Sequence, residues 1–236
     1  ISNDAASEVY RLRLSTRALA ACVGARGVID PGPWTEQALH TGRSLIAGAE
    51  DPLRKAQYQW DLGMALYDAL QVYQLRGEHD TAMKYGEMAI DYLEKGQPSE
   101  APRAAYLLGR LYFRMGAVYA LRDQNHRAAT SWFEKAVPLL ERPLPHEAGA
   151  DVGRHGETFV SMGVSFWETG RRDRALEITQ RGVEFMEQAV KQGLLAESSL
   201  AVGYGNLATM NRALGQREAA ARLEEQAARV KSSATR

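Results

Sequence analysis

The chain has 236 residues, of which 45% are hydrophobic and 25% are charged, proportions typical of a soluble globular protein. Its 29 basic residues balance its 29 acidic residues, so it lacks the net positive charge that attracts nucleic acid or anionic membranes. The single cysteine, Cys22, excludes an internal disulfide and a cysteine-rich zinc site. No apolar run approaches the roughly 20 residues that span a bilayer. We therefore expect no nucleic-acid partner and no membrane insertion.

The first residue is Ile1 and not methionine. This suggests that the natural start is missing, which leaves open a removed signal or a preceding domain. We expect a cytoplasmic protein, because this sequence contains no recognisable targeting segment.

A repeat of about 46 residues organises most of the sequence. Gly63, Gly109, Gly156 and Ala201 are separated by 46, 47 and 45 residues. Bulky residues follow three positions later at Leu66, Tyr112, Phe159 and Tyr204, and bulky or amide residues follow ten positions later at Tyr73, Tyr119, Phe166 and Asn211. Together with pairs such as Met162-Gly163 at offsets six and seven, these positions form one stripe of an α-helix.

Each stripe ends in a turn signal and is followed by a second helical pattern. The turns contain Gly77, Asp123-Gln124-Asn125, Gly170 and Gly215, and a glycine after a helix adopts the left-handed conformation at little cost. The inner faces of the second helices are Ala82, Gly86 and Ala89; Ala129, Phe133 and Ala136; Ala175, Thr179 and Gly182; and Ala220, Glu224 and Ala227.

These motifs resemble the tetratricopeptide repeat (TPR) family, and the segment from Phe159 to Gly182 fits its signature without gaps. The resemblance covers about residues 52–232 and more weakly the whole chain. It implies an all-α, right-handed superhelical solenoid of antiparallel helix pairs. We expect a single domain over 1–236, with a divergent pair at 4–50 and further pairs at about 52–96, 102–142, 148–193 and 195–232. Because the period exceeds the usual 34 residues, this is a long-helix variant, and we expect helices of about 20 to 25 residues.

The divergent first pair is predicted from a weaker pattern. Its first helix, over roughly 4–26, is expected to pack through Thr16, Leu19, Ala20 and Val23. A longer connection, Val28 to Pro33, leads to a second helix that carries Ala38, Gly42 and Leu45.

The usual catalytic signatures are absent: there is no phosphate-binding loop, dinucleotide fingerprint, His-Glu-x-x-His motif or Gly-x-Ser-x-Gly motif. A metal site would need three or four convergent ligands, and the best candidate is the segment with His146, Glu147, Asp151 and His155. His79 and His126 occupy matching places in two turns, where packing is the ordinary explanation. We expect no enzyme, no cofactor and no metal.

In TPR arrays the first helix of each pair lines a concave groove, and the resemblance carries this role onto exposed first-helix positions. The candidate groove residues are Tyr67, Gln71, Gln74, Arg110, Phe113, Arg114, Glu157, Ser161, Trp167, Asn206, Thr209 and Arg212. Their mixture of aromatic, amide and oppositely charged side chains suits an extended peptide better than a polyanion. An ordinary solvated face is the alternative at each position.

The sequence therefore predicts a non-catalytic interaction module that binds a peptide or partner protein in its groove. An alternative is a ligand-sensing or peptide-sensing regulatory domain of a larger protein. The Lys and Asn constellation with which some family members clamp a terminal carboxylate is not reproduced; Asp68, Arg114, Ser161 and Asn206 stand at one of its positions.

Overall fold

The computed structural model describes residues 3–96, 102–122, 124–145 and 152–233. These residues contain ten α-helices and no strand. The helices are α1 (Asn3–Gly24), α2 (Gly32–Ala47), α3 (Pro52–Leu75), α4 (His79–Gly96), α5 (Pro102–Arg122), α6 (His126–Leu140), α7 (Val152–Glu168), α8 (Arg172–Lys191), α9 (Leu200–Ala213) and α10 (Arg217–Ser233). A short 3₁₀ turn, Glu197–Ser199, precedes α9. No helix in this part of the chain has both the length and the apolar character needed to cross a membrane.

The predicted glycine turns join the helices into pairs. Gly27, Gly77, Gly170 and Gly215 have φ angles between 76° and 79°, in the left-handed region that glycine enters without a Cβ penalty. The residue after the glycine caps the first helix, as when the Glu78 amide donates to the Tyr73 carbonyl at 2.9 Å. Between α5 and α6, Gln124 adopts the positive φ angle, at 48°. Such tight turns reverse the chain, so α3 and α4, α7 and α8, and α9 and α10 run antiparallel within their units.

The chain forms two compact units, which are described separately. Unit 1 comprises residues 1–118 with 139–143, and unit 2 comprises 119–138 with 144–236. In unit 1, α1 packs on α2 and α3, and α3 packs on α4. In unit 2, α7 packs on α8, α8 on α9, and α9 on α10. The all-α class and the TPR-like helix pairing are confirmed, whereas the assignment of one domain over 1–236 stays a prediction.

Small residues lie where the two helices of a pair touch, as the repeat register predicts. A Cβ on Gly63 would lie 2.7 Å from Leu93 of α4, and a Cβ on Gly109 would lie 2.8 Å from Leu140 of α6. Gly163 packs directly against Thr179 of α8. The bulky residues around these contacts are fully buried, including Leu66, Phe159 and Phe166.

The expected packing face of α1 is wrong except at Leu19. The packing face of α1 consists of Leu12, Ser15, Leu19 and Cys22. Ala20 is exposed, and Thr16 and Val23 are only partly buried. In this face α1 packs against α2 and α3.

The expected length of about 20 to 25 residues is met by some helices and not by others. α1, α3, α5 and α8 have 22, 24, 21 and 20 residues, whereas α9 has only 14. The long period is therefore absorbed partly by the connections between pairs. One of these is the segment after α8, which contains Gly193 (φ 71°) and the 3₁₀ turn.

Candidate binding surface

Polar side chains line one face of unit 1, formed by the first helices of three successive pairs. Asp61, Met64, Asp68 and Gln71 are spaced by three or four residues on α3, which places them on one stripe. Arg103, Arg110 and Arg114 form a similar stripe on α5, and Arg13 and Arg17 lie one turn apart on α1. We call these nine residues the first-helix face.

Arg114 of α5 connects this face to α3. Its Nε donates to the Tyr67 hydroxyl at 3.3 Å, and its Nη1 donates to Gln74 Oε1 at 3.4 Å. The guanidinium also lies 5.8 Å from the centre of the Tyr67 ring, within cation–π distance. Gln71 donates from Nε2 to Asp68 Oδ1 at 3.1 Å. The Arg114 cluster, consisting of Tyr67, Asp68, Gln71, Gln74 and Arg114, therefore joins two successive pairs through polar side chains.

Asp68 is the one carboxyl group of this cluster, and its pKa is strongly shifted. Burial raises the pKa of Asp68 to about 7, while Arg114 and the hydrogen bond from Gln71 act in the opposite direction. The desolvation cost exceeds both stabilising interactions. The charge of the cluster therefore changes near neutral pH.

A depression at the other end of the stripe involves all three helices. Its walls are Arg13, Thr16, Arg17, Trp60, Asp61, Met64 and Arg103, and its volume is about 380 Å³. The three arginines are exposed, and Trp60 is only 5% exposed. Burial raises the pKa of Asp61, against the effects of the Gln57 hydrogen bond and of Arg13. We call this site the arginine depression.

Unit 1 contains six of the twelve groove candidates predicted from the sequence. Tyr67, Gln71, Gln74 and Arg114 are brought together in the Arg114 cluster, although Tyr67 itself is only 9% exposed. Arg110 and Phe113 are partly buried on α5, with the guanidinium 5.7 Å from the ring centre.

Unit 2 contains the other six candidates, and the side chains of four of them have local partners. Ser161 donates to the Glu157 carbonyl at 2.9 Å, and Thr209 donates to the Gly205 carbonyl at 3.0 Å. Trp167 is partly buried, with the Arg172 guanidinium 4.6 Å from its ring centre.

The remaining two candidates of unit 2 lie on α9. Asn206 is partly buried, and Arg212 is exposed and paired with Glu224 of α10. The six candidates of unit 2 are thus exposed or partly buried, and several of them contact neighbouring residues of the same unit. A groove-lining role for all twelve candidates stays a prediction.

Six residues of the first-helix face were missed as groove candidates: Arg13, Arg17, Asp61, Met64, Asp68 and Arg103. The four-residue spacing of Arg13 and Arg17 signalled a basic helix face, but Arg103 lies 86 residues after Arg17. Only the packing of α1, α3 and α5 brings these arginines to one depression.

The histidine segment considered for metal binding is only partly described. His146, Glu147 and Asp151 lie outside the described residues. His155 is fully buried in α7, and its ring lies 5.1 Å from that of Phe159 and 4.8 Å from that of Phe185. Within the described ranges, no group of three or more His, Cys, Asp or Glu residues is arranged to hold a metal ion. His126, by contrast, contacts Ser165 Oγ at 3.0 Å.

No protein-family model and no curated protein matches this sequence. Solved structures do match over nearly the whole chain. BtubC (BKLC) from P. vanneervenii has a TM-score of 0.56 at 15% identity, covering 98% of this chain and 91% of BtubC. A putative kinesin light chain of TPR-like repeats from Podosopora anserina has a TM-score of 0.52 at 18% identity, covering 96% and 97%.

The apo form of RapI is a third similar structure, with a TM-score of 0.55 at 10% identity, covering 95% of this chain and 67% of RapI. At these identities the likeness concerns the fold. Together with the paired helices and the glycine turns, it shows that the chain is built of TPR-like repeats.

Proposed function

We propose that this chain is a non-catalytic interaction module that binds an extended peptide or a helix of a partner protein on its first-helix face. Repeat arrays present large surfaces on rigid helices, so little ordering is required of the repeat protein when a partner binds. The observation that carries the proposal is the Arg114 cluster, in which side chains of α3 and α5 meet on one face.

The chemistry of this face supports a peptide as the ligand. Arginine is among the residues that dominate the binding energy at many protein interfaces, and Arg110 and Arg114 both lie on this face. The amides of Gln71 and Gln74 can donate and accept hydrogen bonds, as a peptide backbone requires. The hydrogen bonds of the cluster hold these groups in place before a ligand arrives.

Partner capture from an extract of the source organism tests this proposal. Arg110→Glu reverses a charge on the first-helix face, and Arg43→Glu makes the same change on an exposed position of α2, a second helix. We expect Arg110→Glu to lose the partner, whereas the wild type and Arg43→Glu retain it. Equal capture by both variants, with unchanged thermal melts, would place the binding surface elsewhere.

A further inference from the structure

The residues that line the arginine depression favour the binding of an anion, because they carry more positive than negative charge. Arg13, Arg17 and Arg103 surround a space of about 380 Å³, and Asp61 is the one acidic residue among its described walls. The volume lies near the lower end of the range for small-molecule sites. It suits one or two side chains of a peptide.

Among the described residues, none of the three arginines forms an ion pair with a carboxylate. On α1, Arg11 is paired with Glu8 at 2.8 Å. By contrast with Arg11, the guanidinium nitrogens of Arg13, Arg17 and Arg103 have no carboxylate of the described residues within 4 Å. Arg13 is near enough to Asp61 to lower its pKa against the effect of burial, so its charge is partly balanced. The guanidinium groups of Arg17 and Arg103 are therefore available to bind an anion.

The wall of the depression also provides apolar surface. Trp60 is almost wholly buried and Met64 is partly buried, and both line the space between the arginines. The accessible part of the Trp60 ring and the Met64 side chain together offer a small apolar surface to a ligand group. The depression therefore matches an acidic side chain together with an apolar neighbour.

A nucleic acid fits this surface less well. The chain has no net charge, and polyanion affinity depends on many unopposed phosphate contacts. Asp61 and Asp68 lie on the same stripe of α3, where each would repel a phosphate backbone while ionised. A single carboxylate of a peptide needs only one contact with the arginines of the depression, so it does not have to approach both acids.

We propose that the arginine depression binds an acidic side chain of the partner peptide, with Arg17 and Arg103 as the main ligands of the carboxylate and with Trp60 and Met64 in contact with an adjacent apolar residue. This inference rests on the proposed function and specifies the class of peptide bound. It concerns a site distinct from the Arg114 cluster, although both lie on the α3 stripe.

A positional-scanning library of short peptides tests the inference. We expect the wild type to select Asp or Glu at one position with an apolar residue beside it. The best acidic peptide is then compared with its Asn or Gln counterpart on the wild type and on an Arg17→Ala/Arg103→Ala variant. Loss of a charge-assisted contact should weaken the acidic peptide about tenfold or more, and should leave the amide counterpart unchanged. Arg43→Ala, on α2, should behave as the wild type.

Salt dependence gives a second readout that needs no variant. Raising the NaCl concentration should weaken the acidic peptide more than its amide counterpart, because salt screens exposed charges. Equal salt sensitivity would contradict a carboxylate contact.

The possible failures can be told apart. Binding of peptides without an acidic preference, or a preference that survives the double arginine variant, overturns this inference and leaves the proposed function standing. A library that yields no binding peptide counts against both. An oligothymidylate that binds more tightly than any peptide, with the same arginine dependence, overturns the choice of a peptide.

Discussion

Gly156 of α7 and Gly182 of α8 lie so close that a Cβ atom on either residue would be 2.6 or 2.7 Å from the carbonyl oxygen of the other. A Cβ on Gly182 would also lie 2.8 Å from the Val160 amide nitrogen. Backbone atoms cannot move aside as a flexible side chain can. This contact therefore fixes how the two helices of the pair cross.

Gly182→Ala should destabilise the protein by about 1 to 3 kcal/mol because the added methyl group overpacks a backbone contact. Gly205→Ala in α9 is the matched control, since no neighbouring heavy atom of the described chain lies within 4 Å of its Cβ position. The control should be neutral or up to about 1 kcal/mol more stable, through helix propensity. Denaturant unfolding measures both, and an unchanged midpoint for Gly182→Ala would show that the helices cross elsewhere.

The raised pKa of Asp68 predicts a pH-dependent stability. Its pKa is about 7 in the folded protein and 3.8 in the reference state, so between these values the folded protein keeps a proton that the unfolded chain has lost. Stability should then fall as pH rises from about 4 to 7, by at most about 1.4 kcal/mol per pH unit.

Asp68→Asn removes this titration, so its stability relative to the wild type should increase across the same pH range and level off above it. Unfolding free energies of both proteins, measured at several pH values, give the difference directly. Parallel pH profiles would show that Asp68 ionises normally in the folded protein.

The pair of Tyr204 and Glu187 connects α9 to α8. The tyrosine hydroxyl donates to Glu187 Oε1 at 2.8 Å, and Tyr112 donates to Glu94 in the same way between α5 and α4. Phe159 occupies the corresponding repeat position without a hydroxyl and is fully buried, so a phenylalanine ring fits this environment.

Tyr204→Phe should therefore cost about 1 to 2 kcal/mol through loss of the hydrogen bond alone. A double-mutant cycle with Glu187→Gln isolates the pairwise interaction. Additive effects of the two substitutions on the free energy of unfolding would mean that the bond contributes nothing.

The sequence predicted those parts of the fold that depend on local chemistry. The positive φ of Gly77 and Gly170 and the close contact of Gly163 with Thr179 follow from glycine's missing side chain, which the repeat period places in register. The packing face of α1 was assigned one residue away, with Thr16 in place of Ser15. A terminal pair in the described array has different neighbours, so the pattern of the other repeats does not transfer to it.

The candidate site was predictable only where residues share a repeat position. Gln71, Gln74 and Arg114 were identified because the repeat register places them away from the packing stripe of first helices. The grouping of Arg17 with Arg103 depends on how α1, α3 and α5 assemble, and no spacing in the sequence reveals it. The same holds for the raised pKa of Asp68, which results from burial.

Site-specific photo-cross-linking of the best library peptide tests most directly whether partners bind on the first-helix face. A photoreactive residue replaces Gln71 on α3 or, as the control, Glu87 at an exposed position of α4. Binding on the first-helix face predicts cross-links from position 71 that excess unlabelled peptide abolishes, and none from position 87. Cross-links from position 87 that unlabelled peptide abolishes, with none from position 71, would contradict binding on the first-helix face.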